Sequence, residues 1–235
     1  MEKILNFFGR KITPEVRKLS EMKEVVYDRE WLKKAKNFDV YYMYRNLAKN
    51  EEDRKKFLNA KVRYDITIIP KGMLGCEYVK TLGHYHPLAE KKISYPEIYE
   101  VLEGKAHYLL QKLSKGKVED VVLIEAKKGD VVLIPPNYGH VTINPSNKNL
   151  KMANLVSTEF SSIYEPIKKK KGAAYFELKK GWVKNENYGE LPDIRNCKPL
   201  QKNFNLSIYD EFMKNPKKFE FLRKPWLYPD LFRFA

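Results

Sequence analysis

Cysteine is nearly absent from this sequence of 235 residues. Only Cys76 and Cys197 occur, far apart and without a Cys-x-x-Cys pair. A disulfide framework needs several cysteines at regular spacings, and a thiolate zinc site usually takes them in pairs. The sequence therefore suggests neither, and its cysteine content is typical of a reducing cytoplasm.

Long apolar runs are also missing. No stretch reaches the roughly 18 consecutive apolar residues of a membrane-spanning helix, and the apolar part of MEKILNFFGRK is too short for a signal peptide. We expect a cytoplasmic protein with no membrane partner. The hydrophobic share of 43% nevertheless predicts a folded chain, and the length predicts one domain over residues 1–235.

Acidic residues are fewer than basic ones. The counts of 30 Asp plus Glu and 45 Lys plus Arg give a net charge of +15. Such a charge favours an anionic partner, whether a phosphorylated metabolite, a nucleic acid or a membrane surface. The basic residues are spread along the whole chain, which argues against a localised nucleic-acid-binding stripe.

The spacing of Gly and Pro excludes long helices over the middle of the chain. Residues from about 60 to 165 form short segments rich in Val, Ile, Leu and Tyr, a pattern typical of an all-β barrel or sandwich. We expect residues 1–59 and 166–235 to wrap around this core as helices and extended segments. Six aromatic residues of the tail are expected to pack on the barrel or on a second subunit: Phe219, Phe221, Trp226, Tyr228, Phe232 and Phe234.

Histidine is scarce too, yet two of the four histidines, His84 and His86, stand one residue apart. Side chains two apart on a strand share a face, so both imidazoles can project together. Glu97 begins the next strand segment, and His140 follows a turn and a buried strand. Three imidazoles and one carboxylate suit one divalent Fe, Mn, Ni, Co or Zn ion per subunit, with positions left open for a substrate.

These segments resemble the two motifs of the cupins, in which a His-x-His pair, a glutamate and a later histidine form a metal centre. Six residues separate Glu97 from Gly104, and the second motif continues through Gly129, Pro135, His140 and Asn144 at the cupin spacing. The resemblance implies a cupin double-stranded β-helix, or jelly-roll barrel. The sequence departs from the general pattern because ten residues, rather than three or four, separate His86 from Glu97.

A finer resemblance points to one branch of the cupins. Thr81, Gly83, Tyr99 and the runs VLEGKAHYLLQ and IPPNYGHVTIN make the chain similar to the cupin-type glucose-6-phosphate isomerases of archaea and some bacteria. The similarity is best from about Thr67 to Asn144. Val156 and Ser162 stand where better-known members carry a Tyr and a His, which leaves part of the substrate contact set unassigned.

This resemblance implies roles for the candidate residues. His84, His86, Glu97 and His140 would hold the metal, Glu97 and Tyr99 would take part in catalysis, and Thr67, Thr81 and Gly83 would line a sugar phosphate site. Because Thr81 and His84 are an odd number of residues apart, Gly83 must allow a bulge or turn between them. On charge grounds alone, Lys80 is a further candidate ligand of the phosphate.

The resemblance implies a metal-dependent aldose-ketose isomerase, an enzyme of glycolysis and gluconeogenesis that interconverts glucose 6-phosphate and fructose 6-phosphate. A metal cupin acting on mannose 6-phosphate remains open, as does a non-catalytic cupin that binds a sugar or a nucleic acid. We expect a homodimer, because the aromatic tail and the exposed sheet edges need cover.

Overall fold

Two facing β-sheets form the centre of the computed structural model, which describes residues 3–200 and 206–233. Their strands are β3 (Glu15–Lys18), β4 (Asp39–Tyr44), β5 (Val62–Ile69), β8 (Glu97–Glu103), β9 (Lys105–Ser114), β10 (Lys117–Lys127), β11 (Val131–Ile134), β12 (Tyr138–Ile143), β13 (Leu150–Ser157) and β16 (Ile194–Cys197). The larger, six-stranded sheet has the order β11-β8-β13-β5-β4-β3, and the four-stranded sheet has the order β12-β9-β10-β16.

Smaller elements surround these sheets. The strands β6 (Met73–Leu74), β7 (Glu77–Tyr78), β14 (Tyr175–Leu178) and β15 (Gly181–Lys184) form a further sheet, and β1 (Leu5–Phe7) pairs with β2 (Arg10–Ile12). The α-helices are α1 (Leu19–Met22), α2 (Arg29–Lys34), α3 (Glu51–Ala60), α4 (Glu165–Lys169) and α5 (Ile208–Lys214). Short 3-10 helices are Glu90–Lys92, Glu186–Tyr188, Pro216–Leu222, Pro225–Leu227 and Pro229–Phe232.

The main core lies between the two large sheets, and the period of two along each strand explains how it forms. Tyr108 and Leu110 of β9 point into this core, whereas Leu109 points to the opposite face of its sheet. Met152 of β13 likewise faces inward, while Leu155 belongs to the core on the other side. The predicted all-β cupin architecture is therefore confirmed, with both faces of each sheet covered.

The C-terminal segment covers the outer face of the six-stranded sheet. Phe219 and Phe221 are buried there in one apolar cluster with residues of strands β4, β5 and β13. Tyr228 and Phe232 pack partly buried against the same cluster, whereas Trp226 is half-buried. We expected these aromatics to pack on the barrel or on a second subunit, and in the structure they pack on the barrel. Phe234 lies outside the described residues.

Two of the flanking helices begin directly after a residue whose side chain caps them. The carboxylate of Asp28 accepts a hydrogen bond of 2.9 Å from the amide of Trp31 and so caps α2. Asn50 caps α3 in the same way, accepting from the amide of Asp53. Over the described ranges, no helix is both long and apolar enough to span a membrane.

Candidate metal centre

The segment that carries His84 and His86 is less regular than the long strand that its composition indicates. After β7 it pairs only through isolated bridges, in which Lys80 faces Ile143 and His84 faces His140. The register therefore shifts by one residue between the two bridges. Gly83 lies inside this bulge with φ of +83°, in the left-handed region that favours glycine. The irregularity predicted at Gly83 is present.

The His84 and His86 rings lie on the same side of this segment, with their centroids 5.1 Å apart. Tyr85 points the other way, where its hydroxyl accepts a hydrogen bond of 2.6 Å from the side-chain amide of Gln111. Its ring packs over Gly139, where a Cβ atom would come within 2.4 Å of the ring. The segment is thus fixed from behind while both imidazoles face inward.

Glu97 and His140 reach the two imidazoles from different sheets, the first from β8 and the second from β12. The Nε2 atoms of His84 and His86 are 3.1 Å apart. One Glu97 oxygen, Oε2, lies 3.4 Å from Nε2 of His86 and 3.4 Å from Nε2 of His140. One potential ligand atom from each of the four residues lies within 4.8 Å of all the others.

The donor atoms of this cluster fit a divalent metal ion. Within the described part of the chain, Oε2 of Glu97 is buried and has no hydrogen-bond partner. Its Oε1 accepts a hydrogen bond of 2.7 Å from the side-chain amide of Asn154. His86 Nδ1 lies 2.9 Å from the carbonyl oxygen of Tyr95; a proton on Nδ1 leaves the Nε2 lone pair facing the cluster. A cation among these atoms would satisfy the buried oxygen.

The electrostatics favour the protonation states that a metal needs. Burial lowers the pKa of His84 well below its ordinary value, and burial also lowers the pKa of His140, so both rings stay neutral. Burial alone would raise the pKa of Glu97, but the neighbouring rings of His140 and His86 hold it well below the usual range. Neutral imidazoles and an ionised carboxylate are the forms that bind metals.

The residues expected at a sugar phosphate site surround the same pocket. Thr67, Thr81, Gly83 and Tyr99 all line it. The hydroxyl of Tyr99 lies 3.2 Å from Nε2 of His140, and burial raises the pKa of this phenol well above its ordinary value. Tyr99 is therefore a neutral hydrogen-bond donor beside the cluster. Thr81 is partly engaged, because its hydroxyl oxygen accepts from the amide of Thr142 at 3.0 Å.

The structure corrects the assignment of Lys80 as a ligand of the phosphate. Its side chain does not line the pocket but is buried elsewhere, in an ion pair with Glu77. Its ammonium group also donates to the carbonyl oxygen of Val25 at 2.9 Å and lies 4.6 Å from the ring centroid of Phe176. A lysine held by these partners is a structural residue and does not reach the substrate side.

Sequence reasoning did not identify several other residues that line the pocket. The further lining residues are Tyr41, Met43, Arg45, Arg63, Met152, Asn154 and Tyr164, together with Val156 and Ser162 at the positions where the family pattern changes. A signal was present in the alternation of Arg63, Asp65 and Thr67 on β5, which places all three on the inward face. The pairing that brings β5 beside β13 was not visible in the sequence.

The fourth histidine, His107, takes no part in the cluster. Its Nδ1 atom lies 2.9 Å from both carboxylate oxygens of Glu177, on a face of β9 that does not line the pocket. His107 is therefore a residue of β9 that pairs with Glu177 outside the candidate site.

Among solved structures, the chain is similar to an oxalate oxidase in complex with glycolate at 13% identity, covering 55% of this chain and 56% of that one with a TM-score of 0.40. It is also similar to the vicilin of Corylus avellana at 18% identity, covering 52% of this chain and 32% of that one with a TM-score of 0.38.

Curated relatives are more similar in sequence. Glucose-6-phosphate isomerase of Thermococcus litoralis is 37% identical over 99 residues, which are 41% of this chain and 46% of the relative. The Pyrococcus abyssi enzyme of the same name is 35% identical over 99 residues, covering 41% of this chain and 47% of that one. The chain thus spans about half the length of the curated relatives it matches.

A family model covers much more of the sequence. The model described as glucose-6-phosphate isomerase (GPI) matches residues 16–193, which is more than half of the chain. The match includes every residue of the metal-ligand cluster. This chain therefore belongs to the glucose-6-phosphate isomerase family.

Proposed function

We propose that this chain is a metal-dependent isomerase that interconverts glucose 6-phosphate and fructose 6-phosphate. The observation that carries the proposal is the meeting of three imidazoles and one carboxylate in a pocket beside the Tyr99 hydroxyl. Family membership supports the reaction, and the donor set suits Fe, Mn, Ni, Co or Zn. A divalent ion bound by His84, His86, Glu97 and His140 would supply Lewis-acid stabilisation of the negative charge that develops on the substrate oxygens.

The protein groups around this ion have separate tasks. Isomerisation of the open-chain sugar moves one hydrogen from C2 to C1 and one proton from the C2 hydroxyl to O1, so that the carbonyl shifts from C1 to C2. In one route Glu97 removes the C2 proton and returns it to C1, and in the other the hydrogen moves directly as hydride and needs no base. In both routes Tyr99 donates a hydrogen bond to a substrate oxygen, and the surrounding buried residues keep bulk water away.

A coupled assay tests the activity. Purified protein is assayed with glucose 6-phosphate before chelation, after chelation, and after separate addition of Fe, Mn, Ni, Co or Zn. We expect turnover to disappear with the chelator and to return with at least one ion. A fully loaded protein that turns over neither glucose 6-phosphate nor mannose 6-phosphate would contradict the proposal. A rate that is higher with mannose 6-phosphate would change the substrate assignment only.

Isotope labelling separates the two routes. With substrate deuterated at C2 in ordinary water, proton transfer through Glu97 predicts partial loss of the label to solvent. Complete retention at C1 of the product would support the hydride shift. Nuclear magnetic resonance of the product at low conversion measures the difference.

We also place the enzyme in the cytoplasm, in glycolysis and gluconeogenesis, as a homodimer. The content of only two cysteines supports a reducing compartment such as the cytoplasm. Light scattering coupled to size-exclusion chromatography should give about twice the chain mass of 27.8 kDa. A mass equal to one chain at assay concentrations would remove the dimer from the proposal.

A further inference from the structure

Tyr85 contacts the chain beside three of the four metal ligands, although its own side chain points away from them. In the sequence it stands between His84 and His86. Its ring packs against Gly139, where an added Cβ atom would come within 2.4 Å of the ring, and Gly139 directly precedes His140. Because packed groups transmit displacements to their neighbours, a shift of this one ring would displace the backbone that carries all three imidazoles.

A buried amide fixes the position of the Tyr85 ring. Gln111 of β9 is 1% exposed and pairs in register with Gly139 of β12. Its side-chain nitrogen donates to the Tyr85 hydroxyl at 2.6 Å and to the Tyr188 hydroxyl at 3.0 Å. Its side-chain oxygen accepts from the backbone amide of Ala174 at 2.6 Å. Because a backbone N–H can only donate, this last bond fixes which end of the side-chain amide faces the two hydroxyls.

The same amide joins this ring to a flanking part of the chain. Ala174 directly precedes β14, and Tyr188 lies at the end of a 3-10 helix that follows β15. The Tyr188 hydroxyl donates in turn to the carbonyl oxygen of Gly172 at 3.0 Å. Gln111 therefore couples the position of the ring behind the metal-ligand cluster to the packing of residues 172–188.

The backbone of Tyr85 is held independently of its side chain. Its amide donates to the carbonyl oxygen of Ile163 at 2.9 Å, and the amide of Ile163 donates back to the carbonyl oxygen of Tyr85 at 2.8 Å. His84 and His140 exchange a similar pair of backbone bonds at 3.2 and 3.0 Å. Loss of one side-chain hydrogen bond should therefore leave the segment folded and change only the fine placement of the imidazoles.

We infer that Tyr85 and Gln111 are positioning residues for the metal site. Held by Gln111, the Tyr85 ring sets the relative placement of the three imidazoles and thereby the affinity and the ligand field of a bound divalent ion. Groups outside the ligand set act in this way because they fix the orientation of the ligands. The inference rests on the metal site of the proposed function and extends it to the opposite face of the histidine-bearing segment.

Manganese binding tests this role without substrate. Mn(II) is titrated into chelated wild type, Tyr85→Phe, Gln111→Met and the control Tyr175→Phe, and electron paramagnetic resonance measures both the affinity and the zero-field splitting of the bound ion. Tyr175 lies on β14, and its hydroxyl donates at 2.7 Å to the carbonyl oxygen of Pro192. We expect Tyr85→Phe and Gln111→Met each to bind Mn(II) about 3- to 10-fold more weakly, the effect of one neutral hydrogen bond. Both should change the splitting, and the control should change neither value.

The outcomes separate positioning from stability. A lower Tm with unchanged Mn(II) affinity and splitting would show a structural role only and overturn the inference. If Gln111 acts through Tyr85, the double variant should bind Mn(II) no more weakly than Gln111→Met alone, and additive losses would contradict that coupling. If Gln111→Met does not fold, Tyr85→Phe decides alone, since it keeps the ring.

Activity assays on the same samples separate this inference from the proposed reaction. The expected changes in a protein without isomerase activity would refute the reaction and keep the positioning role. Unchanged Mn(II) binding by both variants of an active isomerase would do the reverse. A wild type that binds no divalent ion would refute both.

Discussion

Asn154 holds one oxygen of Glu97 and leaves the other facing the three imidazoles. Its amide donates at 2.7 Å to Oε1, and it lies on β13 directly between Tyr99 of β8 and Asp65 of β5. An outer hydrogen bond of this kind orients a ligating carboxylate. The side chain therefore acts on any bound metal through Glu97.

Asn154→Ala should weaken metal affinity by about 10- to 100-fold, the usual effect of losing an orienting partner of a ligand. Competition with a coloured chelator measures the affinity. Ser157 of the same strand is also buried but does not line the pocket, so Ser157→Ala is a matched control. An Asn154→Ala variant with wild-type affinity would show that Glu97 needs no such support.

His140→Ala should lose both bound metal and turnover, with activity down by more than about 100-fold, because a direct ligand matters more than an outer partner. The protein should remain folded. Elemental analysis measures the bound metal, the coupled assay measures turnover, and circular dichroism shows whether the protein is folded. His107→Ala removes a histidine outside the cluster and should keep one metal per chain; wild-type rates in His140→Ala would refute the site.

Single residues differ in how far the sequence reveals them. His84, His86, Glu97 and His140 could be found because motif spacing fixes both their type and their strand direction. Lys80 was misassigned because charge alone carries no information about direction, and its ammonium group turns to a buried carboxylate. The arginines that line the pocket escaped notice because 45 basic residues hide any particular two.

At the scale of elements, the Glu77–Lys80 pair joins parts of the chain that are distant in sequence. Glu77 accepts a hydrogen bond from the amide of Tyr27 at 2.9 Å, and Lys80 donates to the carbonyl of Val25. Phe176 of β14 covers the ammonium group. The pair therefore fastens the segment before α2 to β7 and to the start of the histidine-bearing segment.

Lys80→Met should lower the free energy of unfolding by about 3–5 kcal/mol, because Glu77 would remain buried without its cation. The double variant Glu77→Gln with Lys80→Met should recover part of that loss. Urea denaturation measures both. If Lys80→Met were as stable as wild type but raised the KM for the sugar phosphate, a substrate-binding role would return.

A second ion-pair group ties the C-terminal segment to the barrel. Glu159, just after β13, bonds with Arg223 at 2.9 and 3.0 Å and with Lys61 at 2.9 Å. The hydrogen bonds from Arg223, followed by those from Lys61, lower the pKa of Glu159 to about 2. A lowered carboxylate pKa stabilises the folded state above its ordinary value near 4.5, and this contribution is lost as the pH falls toward about 2.

Glu159→Gln should therefore destabilise the protein at pH 6 and have a smaller effect near pH 2.5. The difference should stay below about 1 kcal/mol, because these side chains are partly exposed. Thermal unfolding at the two pH values, with Glu30→Gln on the surface of α2 as control, measures it. An equal loss at both pH values would remove the ion pair as the cause.

Regular strands could be predicted from the sequence more readily than irregular segments. The long strands β8, β9, β10 and β13 follow from β-branched and aromatic runs bounded by turn residues. The segment from Cys76 to His86 also has strand composition, yet beyond β7 it pairs only through bridges, because Gly83 shifts the register. Pairing partners depend on the whole chain, and local composition does not contain them.

At the scale of the whole molecule, the metal-ligand cluster joins the two large sheets, since Glu97 and His140 come from opposite sides. Binding of an ion should therefore stabilise the entire fold, by about 2.7 kcal/mol at a concentration 100-fold above the dissociation constant. Differential scanning calorimetry of chelated and reloaded protein measures the rise in Tm. His140→Ala should show no such rise, and an equal rise in this variant would indicate nonspecific binding.

The parallel pairing of β16 with β10 begins at Ile194, one residue after the stretch that the family model matches. The part of the chain beyond that stretch also supplies Phe212, Phe219 and Phe221, which cover the outer face of the six-stranded sheet. A protein shortened to the stretch that the family model matches would keep all four metal ligands. It would expose the edge of β10 that pairs with β16 and the apolar outer face of the six-stranded sheet. Such a fragment is expected to form aggregates by edge-to-edge strand addition.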